Sequence, residues 1–381
     1  MDAAVYQNRI NRVRAEMRKG GIDLFLVSPS SNLFYLSGYG VNGDERLLLL
    51  VLPAEAEPGS PQAEPGSPQA EPFVLANLLY KDQVEVLPVK EFVFWKDGED
   101  PLALLKWEIE KRNFPAGKIA VEPQLPAFFS LPMAERFPQA AFTLGSPLTD
   151  PLRLYKDPGE IELIRRACKF SDQALAVVIE KGNYWLGKTE AEFCEELTAA
   201  LRRLGVMAYG AIVAAGANGA VPHHVTGQSL IEKGKGLLID FGGRLKGYHT
   251  DCTRTFHFGA PGVEFEKIYN TVLEAHLAAE AKARPGNLLG DVDDAARQVI
   301  EKAGYGPYFT HRTGHGLGID GHEGVSAAKG ETTPIAQGMV FSIEPGIYLP
   351  GRLGVRIENL VAIGREGPEV LHAFPRELKI I

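Results

Sequence analysis

Two segments of this chain put acidic side chains where a folding polypeptide normally keeps hydrocarbon. In LLIDFGGRLKGYHTDCTRT, Asp240 directly follows the apolar run Leu237-Leu238-Ile239, and Asp251 repeats the carboxylate eleven residues on. A buried carboxylate without a partner neutralises or destabilises the fold, so such a strand calls for a cation, either a basic side chain or a metal. Asp240 and Asp251 are symmetric about the Leu245-Lys246 junction. A hairpin with a four-residue loop, Arg244 to Gly247, is therefore expected to set them directly opposite one another, with Cβ atoms about 5 Å apart.

The pattern recurs in FSIEPGIYLPGRLGVRIENLV. Glu344 follows Val340, Phe341 and Ile343, Glu358 lies between Ile357 and Leu360, and the two are symmetric about Gly351 in a Pro-Gly turn. Arg356, two residues before Glu358, is expected on the same face of its strand, placed to meet an anionic substrate group. Between the hairpins, HRTGHGLGIDGHEG interleaves His311, His315 and His322 with glycines that let backbones approach closely. Its spacing is no standard zinc pattern, and GHGLGIDG lacks the glycine order and strand-turn-helix setting of a dinucleotide loop. One acidic residue in a strand is more often paired with an arginine or set at an edge. Four carboxylates in two mirrored hairpins, a histidine in the glycine-rich segment and no matching cluster of basic residues favour a dinuclear metal site. His249, His257, His276 and His372 are expected to face solvent or to be satisfied locally.

The whole chain frames this site. Its 381 residues suffice for two domains, and 45% hydrophobic with 23% charged residues is a globular composition. The formal net charge of -8, without clustered Lys and Arg, argues against nucleic-acid or anionic-membrane partners. The N-terminal residues lack the apolar core and cleavage site of a secretory signal, and no run approaches the ~20 apolar residues of a membrane span. Three widely spaced cysteines, Cys168, Cys194 and Cys252, fit reduced thiols. A cytoplasmic location is expected.

Residues 1–150 alternate a polar-apolar helix through Arg18 with the strand-like runs DLFLV, RLLLLVL and EPFVLANLL, which indicates an α/β domain. The unit Ala56 to Gln62 recurs as Ala63 to Gln69, and its Pro, Gly and Ser content predicts a flexible loop at about 54–72 joining two strands. Residues 151–381 form the second expected domain. Asp157 with Pro158 and Glu160, and Thr189 with Glu192, are capping-box starts, and further helices are expected near Phe265 to Ala283 and Val292 to Ala303.

The motifs NLFYLSGYG, IDFG with GYHTDCTRTF, THRTGHGLGIDGHE and IEPGIYLPGRLGVRIEN resemble those of the two-domain metallopeptidases that include prolidase and aminopeptidase P. The resemblance spans essentially the whole chain. It implies a creatinase-like α/β N-terminal domain and an α+β catalytic domain of the pita-bread (creatinase/aminopeptidase) fold. It further implies that Asp240, Asp251, His315, Glu344 and Glu358 bind two divalent ions, with Asp251 and Glu358 bridging and Glu344 also accepting a proton from the attacking water. His223 matches the histidine near the scissile peptide, with His224 beside it as the other register. His322 matches the second substrate-side histidine and Arg356 the strand arginine, while His311 takes a lesser, outer role. The implied reaction is hydrolysis of an Xaa-Pro bond by hydroxide held between two ions. The short Glu344-to-Glu358 hairpin resembles dipeptidase members, and aminopeptidase P action on longer peptides is the alternative. Metal-free creatinase-like or binding relatives lack the ligand set, whose five positions are filled here. An oxygen-rich donor set suits manganese first, with cobalt or zinc as substitutes and iron also open. The implied partners are a proline-containing dipeptide or short peptide and a second copy in a homodimer.

Overall fold

The computed structural model describes residues 3–40, 43–54 and 71–381. The AEPGSPQ repeat, read above as a flexible loop, lies outside the described residues. The chain divides into two compact units, Met1–Leu152 and Arg153–Ile381. Among the described residues no helix is long and apolar enough to cross a membrane.

In the first unit the chain runs through α1 (Ala3–Gly20), β1 (Leu24–Val27), α2 (Ser31–Ser37), β2 (Leu49–Pro53), β3 (Phe73–Asn77), α3 (Lys81–Val84), β4 (Glu91–Trp95), α4 (Pro101–Lys111), β5 (Lys118–Val121), α5 (Ala127–Arg136), β6 (Ala141–Leu144) and α6 (Ser146–Leu154). The three apolar runs read as strands are β1, β2 and β3, and every residue in them is buried. Strands covered on both faces read as continuous rather than alternating hydrophobic runs. The sheet order is β4-β3-β2-β1-β5-β6, antiparallel where β2 meets its neighbours and parallel elsewhere. Leu24, Leu26, Val51 and Phe73 pack with Leu105 and Ile109 of α4 and Met133 of α5. NLFYLSGYG forms α2, started by Ser30 Oγ accepting the Leu33 N–H and ended by Gly38 at φ 75°.

The second unit has two halves, each a helix pair on strands. Helices α7 (Pro158–Ile179) and α8 (Glu190–Arg203) open with the capping boxes expected from their sequences. They cover the sheet of β7 (Met207–Ala215), β8 (Gly236–Leu245) and β9 (Tyr248–His257) through a core of Leu175, Phe193, Leu197, Val213, Ile239 and Phe256. Helices α9 (Val263–Lys282) and α10 (Leu289–Lys302) cover the other half. That half comprises β10 (Gly314–His315), β11 (Ser326–Ala327), β12 (Val340–Ile343), β13 (Gly346–Leu349), β14 (Leu353–Arg356), β15 (Asn359–Ile363) and β16 (Pro368–Val370). Its core joins Ile268, Val272, Val292 and Ala296 to Phe341, Ile343, Val355 and Val361.

The two acidic hairpins depart differently from their expected geometry. β8 and β9 are joined by Lys246 and Gly247 alone, at φ 50° and 90°. Such a two-residue turn with both φ positive matches the twist of paired strands. Tightening the loop from four residues to two slides the register, so Asp251 pairs with Gly242 and Asp240 with Thr253. The aspartates are therefore diagonal neighbours on one face rather than directly opposed, because a shift of two preserves the face. The second hairpin keeps the expected symmetry. Ile343 pairs with Asn359 and Gly346 with Arg356, a single register that carries Glu344 opposite Glu358. The ladder opens at that point. Glu344 N–H bonds Thr313 O at 2.7 Å, and Glu358 N–H bonds Thr253 O at 3.1 Å. Each glutamate is thus stitched to a different segment, one leading into His315 and the other being the strand of Asp251.

Candidate metal centre

This stitching gathers the five acidic and imidazole side chains singled out above. Donor atoms of Asp251, His315 and Glu358 lie within 4.8 Å of one another. His315 Nε2 is 3.3 Å from Glu344 Oε1 and 3.9 Å from Asp251 Oδ2. Asp240 stands on the same face of β8, and its charge acts on Asp251, Glu344 and Glu358. Gly314 is required next to His315, since a Cβ there would overlap the carbonyl oxygen of Ser342 on β12.

The electrostatics are those of an anionic cluster short of positive charge. Burial first, then the charges of Asp240 and Glu344, raise the Asp251 carboxyl well above its usual range. Burial and the neighbouring carboxylates, Asp251 foremost, do the same to Glu358. Glu344 is pushed up to about 7 by burial, against the opposing pull of Arg356. Burial, helped by the neighbouring His322, brings His315 down to about 3, so its imidazole is neutral. With Nδ1 against Gly316 O at 3.2 Å, His315 points the Nε2 lone pair at the carboxylates. Four clustered carboxylates and a neutral imidazole form a donor set fitting hard divalent cations.

One buried base stands among them, the arginine that strand alternation set on the face of Glu358. Arg356 is 3% exposed. Its Nη2 donates to Asp240 Oδ2 at 2.7 Å, Nη1 to Tyr348 OH at 2.9 Å and Nε to Thr253 Oγ1 at 3.1 Å. Its donors are thus directed at Asp240, Tyr348 and Thr253 of the protein itself, whereas the sequence had placed it to meet an anionic substrate group. Thr253 Oγ1 in turn donates to Glu358 Oε2 at 2.7 Å. Arg356, with the charge of Arg312 also acting on Glu344, still leaves the four carboxylates short of positive charge.

The remaining candidates separate clearly. His223 and His322 are exposed and act on one another electrostatically, and the His322 ring centre is 3.9 Å from that of His315. His224 turns away: its Nε2 meets Glu190 Oε2 at 2.8 Å. Glu190 is fully buried and also accepts from Ala215 N–H, Asn218 Nδ2 and Gly227 N–H, so this one carboxylate ties down both ends of the loop bearing His223. His311 Nε2 is 2.7 Å from Tyr348 OH, one step behind Arg356. The four histidines set aside above are all buried rather than solvent-facing. His249 and His257 bond backbone carbonyls, and His372 bonds Asp172 and the Asp251 carbonyl. Among the described residues His276 meets no hydrogen-bond partner at either ring nitrogen, with Glu280 Oε2 at 3.7 Å. Asp172, Cys252 and His372 also cluster, but Asp172 is already occupied by His372 and the N–H groups of Ala373 and Phe374.

Sequence reasoning missed Thr253 and Ser342. Ser342 Oγ accepts the His315 N–H at 2.9 Å and donates to Glu344 Oε1 at 3.0 Å. Both lie two residues from a predicted ligand, so strand alternation alone could have found them. A cleft of about 540 Å³ opens beside the cluster, lined by Asp240, Asp251 and His322 and extending to Tyr209, Ile212, Val225 and His249.

Comparison with known proteins places these features in context. Residues 9–155 match the Creatinase/Prolidase N-terminal domain, and residues 162–365 match metallopeptidase family M24. A Bacillus subtilis protein provisionally named a dipeptidase is 35% identical over 98% of this chain and all of its own. The crystal structure of a Thermococcus sibiricus prolidase superimposes with a TM-score of 0.90 at 35% identity, covering the whole of both chains. That of a Pyrococcus horikoshii dipeptidase gives 0.89 at 34% identity, covering 98% of this chain and 100% of that one.

Proposed function

Because the chain belongs to metallopeptidase family M24 and carries the Creatinase/Prolidase N-terminal domain, we propose that this peptidase is an Xaa-Pro dipeptidase working with two divalent ions. The observation that carries the reading is the convergence of Asp240, Asp251, His315, Glu344 and Glu358, from three separate segments, into a buried anionic cluster beside a cleft. Membership in the family implies divalent metal ions, and these five residues are the ones that would hold them. Asp251 and Glu358, whose strands are joined by the Glu358 N–H bond to Thr253 O, would be the pair shared between the ions. When bound, two divalent ions acidify water and polarise a peptide carbonyl.

The chain's own residues do the rest. Glu344 is held by Ser342 Oγ close to His315 and accepts the proton of the attacking water. His322, which lines the cleft, and the exposed His223, whose charge acts on it, donate hydrogen bonds to the peptide as charge develops on its carbonyl oxygen. Arg356 fixes Asp240 and, through Thr253, Glu358, so its part is positional. The hard oxygen donors make manganese the first choice of metal, with cobalt or zinc as substitutes. The three unbridged cysteines suit a reducing cytoplasm, and a homodimer is the assembly we expect.

The test is hydrolysis of Ala-Pro beside Ala-Pro-Ala by chelated enzyme, with and without added manganese. Metal-dependent cleavage of the dipeptide alone is expected. Cleavage of the tripeptide moves the assignment to an Xaa-Pro aminopeptidase, and turnover that ignores chelation refutes the metal mechanism.

A further inference from the structure

We propose that Arg244, together with Tyr209 and His249, forms a subsite for a substrate carboxylate one rung of the β8–β9 hairpin beyond Asp251. The placement follows from register. Asp240, Gly242 and Arg244 alternate onto one face of β8, and their partners Thr253, Asp251 and His249 share that face on β9. The Arg244–His249 rung is therefore next to the Gly242–Asp251 rung, about 7 Å along the strand. A dipeptide held at the acidic cluster carries its carboxylates within one residue, roughly 3.5 Å of backbone or a short side chain. The long side chain of arginine spans what remains.

The charge of Arg244 is unspent. Its Nε–H donates to His249 Nε2 at 3.3 Å, and its guanidinium carbon is 5.7 Å from the centre of the Tyr209 ring. Both neighbours are uncharged groups. With Nε2 accepting, the His249 proton sits on Nδ1, facing Gly318 O at 3.4 Å. Among the described residues Arg244 makes no ion pair, whereas Arg356 pairs with Asp240, and Arg153 and Lys156 pair with Asp320 and Glu323. Tyr209 and His249 themselves line the cleft that opens from Asp240, Asp251 and His322. Arg244 itself is exposed, and an arginine oriented by two neutral groups of the cleft wall can form charge-assisted hydrogen bonds to a carboxylate without first breaking a salt bridge.

Two carboxylates of a dipeptide have this chemistry, the C-terminal one and an acidic side chain before the cleaved bond. The proposal rests on the peptidase reading of the site, and the assay separates the two. Specificity constants are measured for Ala-Pro against Ala-Pro amide, and for Glu-Pro against Gln-Pro, in the wild type and in Arg244→Gln, Arg244→Lys and Arg312→Gln. Arg312 is the comparison base because it also makes no ion pair among the described residues, donating instead to Ser326 Oγ and His322 Nδ1. In the wild type one of the two ratios should be about 10- to 100-fold, expressed in KM. Arg244→Gln should bring that ratio close to one, and Arg244→Lys should restore part of it. A change in the Ala-Pro ratio assigns the C-terminal carboxylate, and a change in the Glu-Pro ratio assigns the side chain. The proposal is overturned if both wild-type ratios are near one, or if Arg312→Gln rather than Arg244→Gln abolishes the preference. Alanine-ending analogues run in parallel, so loss of proline selectivity alone leaves the ratios measurable. If no peptide is cleaved, calorimetric titration of the same peptides into manganese-loaded enzyme reads the ratios as Kd.

Discussion

Removing the Glu190 carboxylate tests how the loop bearing His223 is held. One of its oxygens accepts Ala215 N–H at 2.7 Å and Asn218 Nδ2 at 2.8 Å; the other meets His224 Nε2 at 2.8 Å and Gly227 N–H at 3.0 Å. In Glu190→Gln the amide oxygen can keep one pair. The new NH2 must then face the other pair, where His224 can change tautomer to accept but the Gly227 N–H cannot. One unsatisfied buried donor costs about 1–3 kcal/mol. Glu190→Ala frees all four groups, and about 3–5 kcal/mol is expected once water reaches some of them. Urea unfolding should therefore rank wild type above Gln above Ala, with Ala-Pro turnover falling in the same order by about 10-fold or more and metal content unchanged. The pH dependence has a definite sign. Burial alone would raise the Glu190 carboxyl, but bonds from Ala215, Asn218, His224 and Gly227 outweigh it and hold the group below its usual value. A depressed folded pKa stabilises above the unfolded value of about 4.3, and the benefit is lost as the pH falls through the folded one. The gap between wild type and Glu190→Gln should accordingly close on acidification. Equal stability of all three proteins at pH 7, or a gap that widens in acid, would refute the staple.

Three further outcomes follow from the same geometry. Chelation should lower the melting temperature at pH 7, since ions at 100 times their Kd stabilise by about 2.7 kcal/mol; apo Asp251→Asn, relieved of one repelling carboxylate, should melt no lower than apo wild type. Gly314→Ala, whose Cβ would overlap Ser342 O, should displace His315 and reduce bound metal in elemental analysis of a protein that still folds. Asp157→Ala, which removes the cap at the start of α7, should cost about 1 kcal/mol and roughly 2–4 °C in calorimetry, with kcat unmoved.

The four carboxylates proposed as ligands stood out because each breaks the hydrophobic pattern of its own strand, and period-two alternation fixes which face a strand residue takes, whereas His315 stood out only by its glycine-rich setting. The faces of Asp240 and Asp251 followed from that pattern, whereas their register depended on the turn, and Lys246 at φ 50° is an uncommon residue for a two-residue loop. Glu344 and Glu358 came out opposite one another because Gly351 does mark the turn, but the opening of the ladder between them depends on Thr313 and Thr253, which are remote in sequence. The same remoteness hid the Arg356–Asp240 pair, 116 residues apart, and the Glu190 staple, since an acid in the first turn of a helix reads as an ordinary favourable end charge. His223 and His224 could not be told apart by spacing; the structure separates them because the loop turns only one toward Glu190.

The central claim is that the five converging side chains form a two-ion centre, and the most direct measurement is the number of manganese ions bound per chain at saturation, in the wild type and in Asp251→Ala. Two ions in the wild type, with both the count and peptidase activity lost in a folded Asp251→Ala protein, is the predicted result. A wild-type chain that saturates with one ion or none, or an Asp251→Ala protein with an unchanged count, would contradict the account.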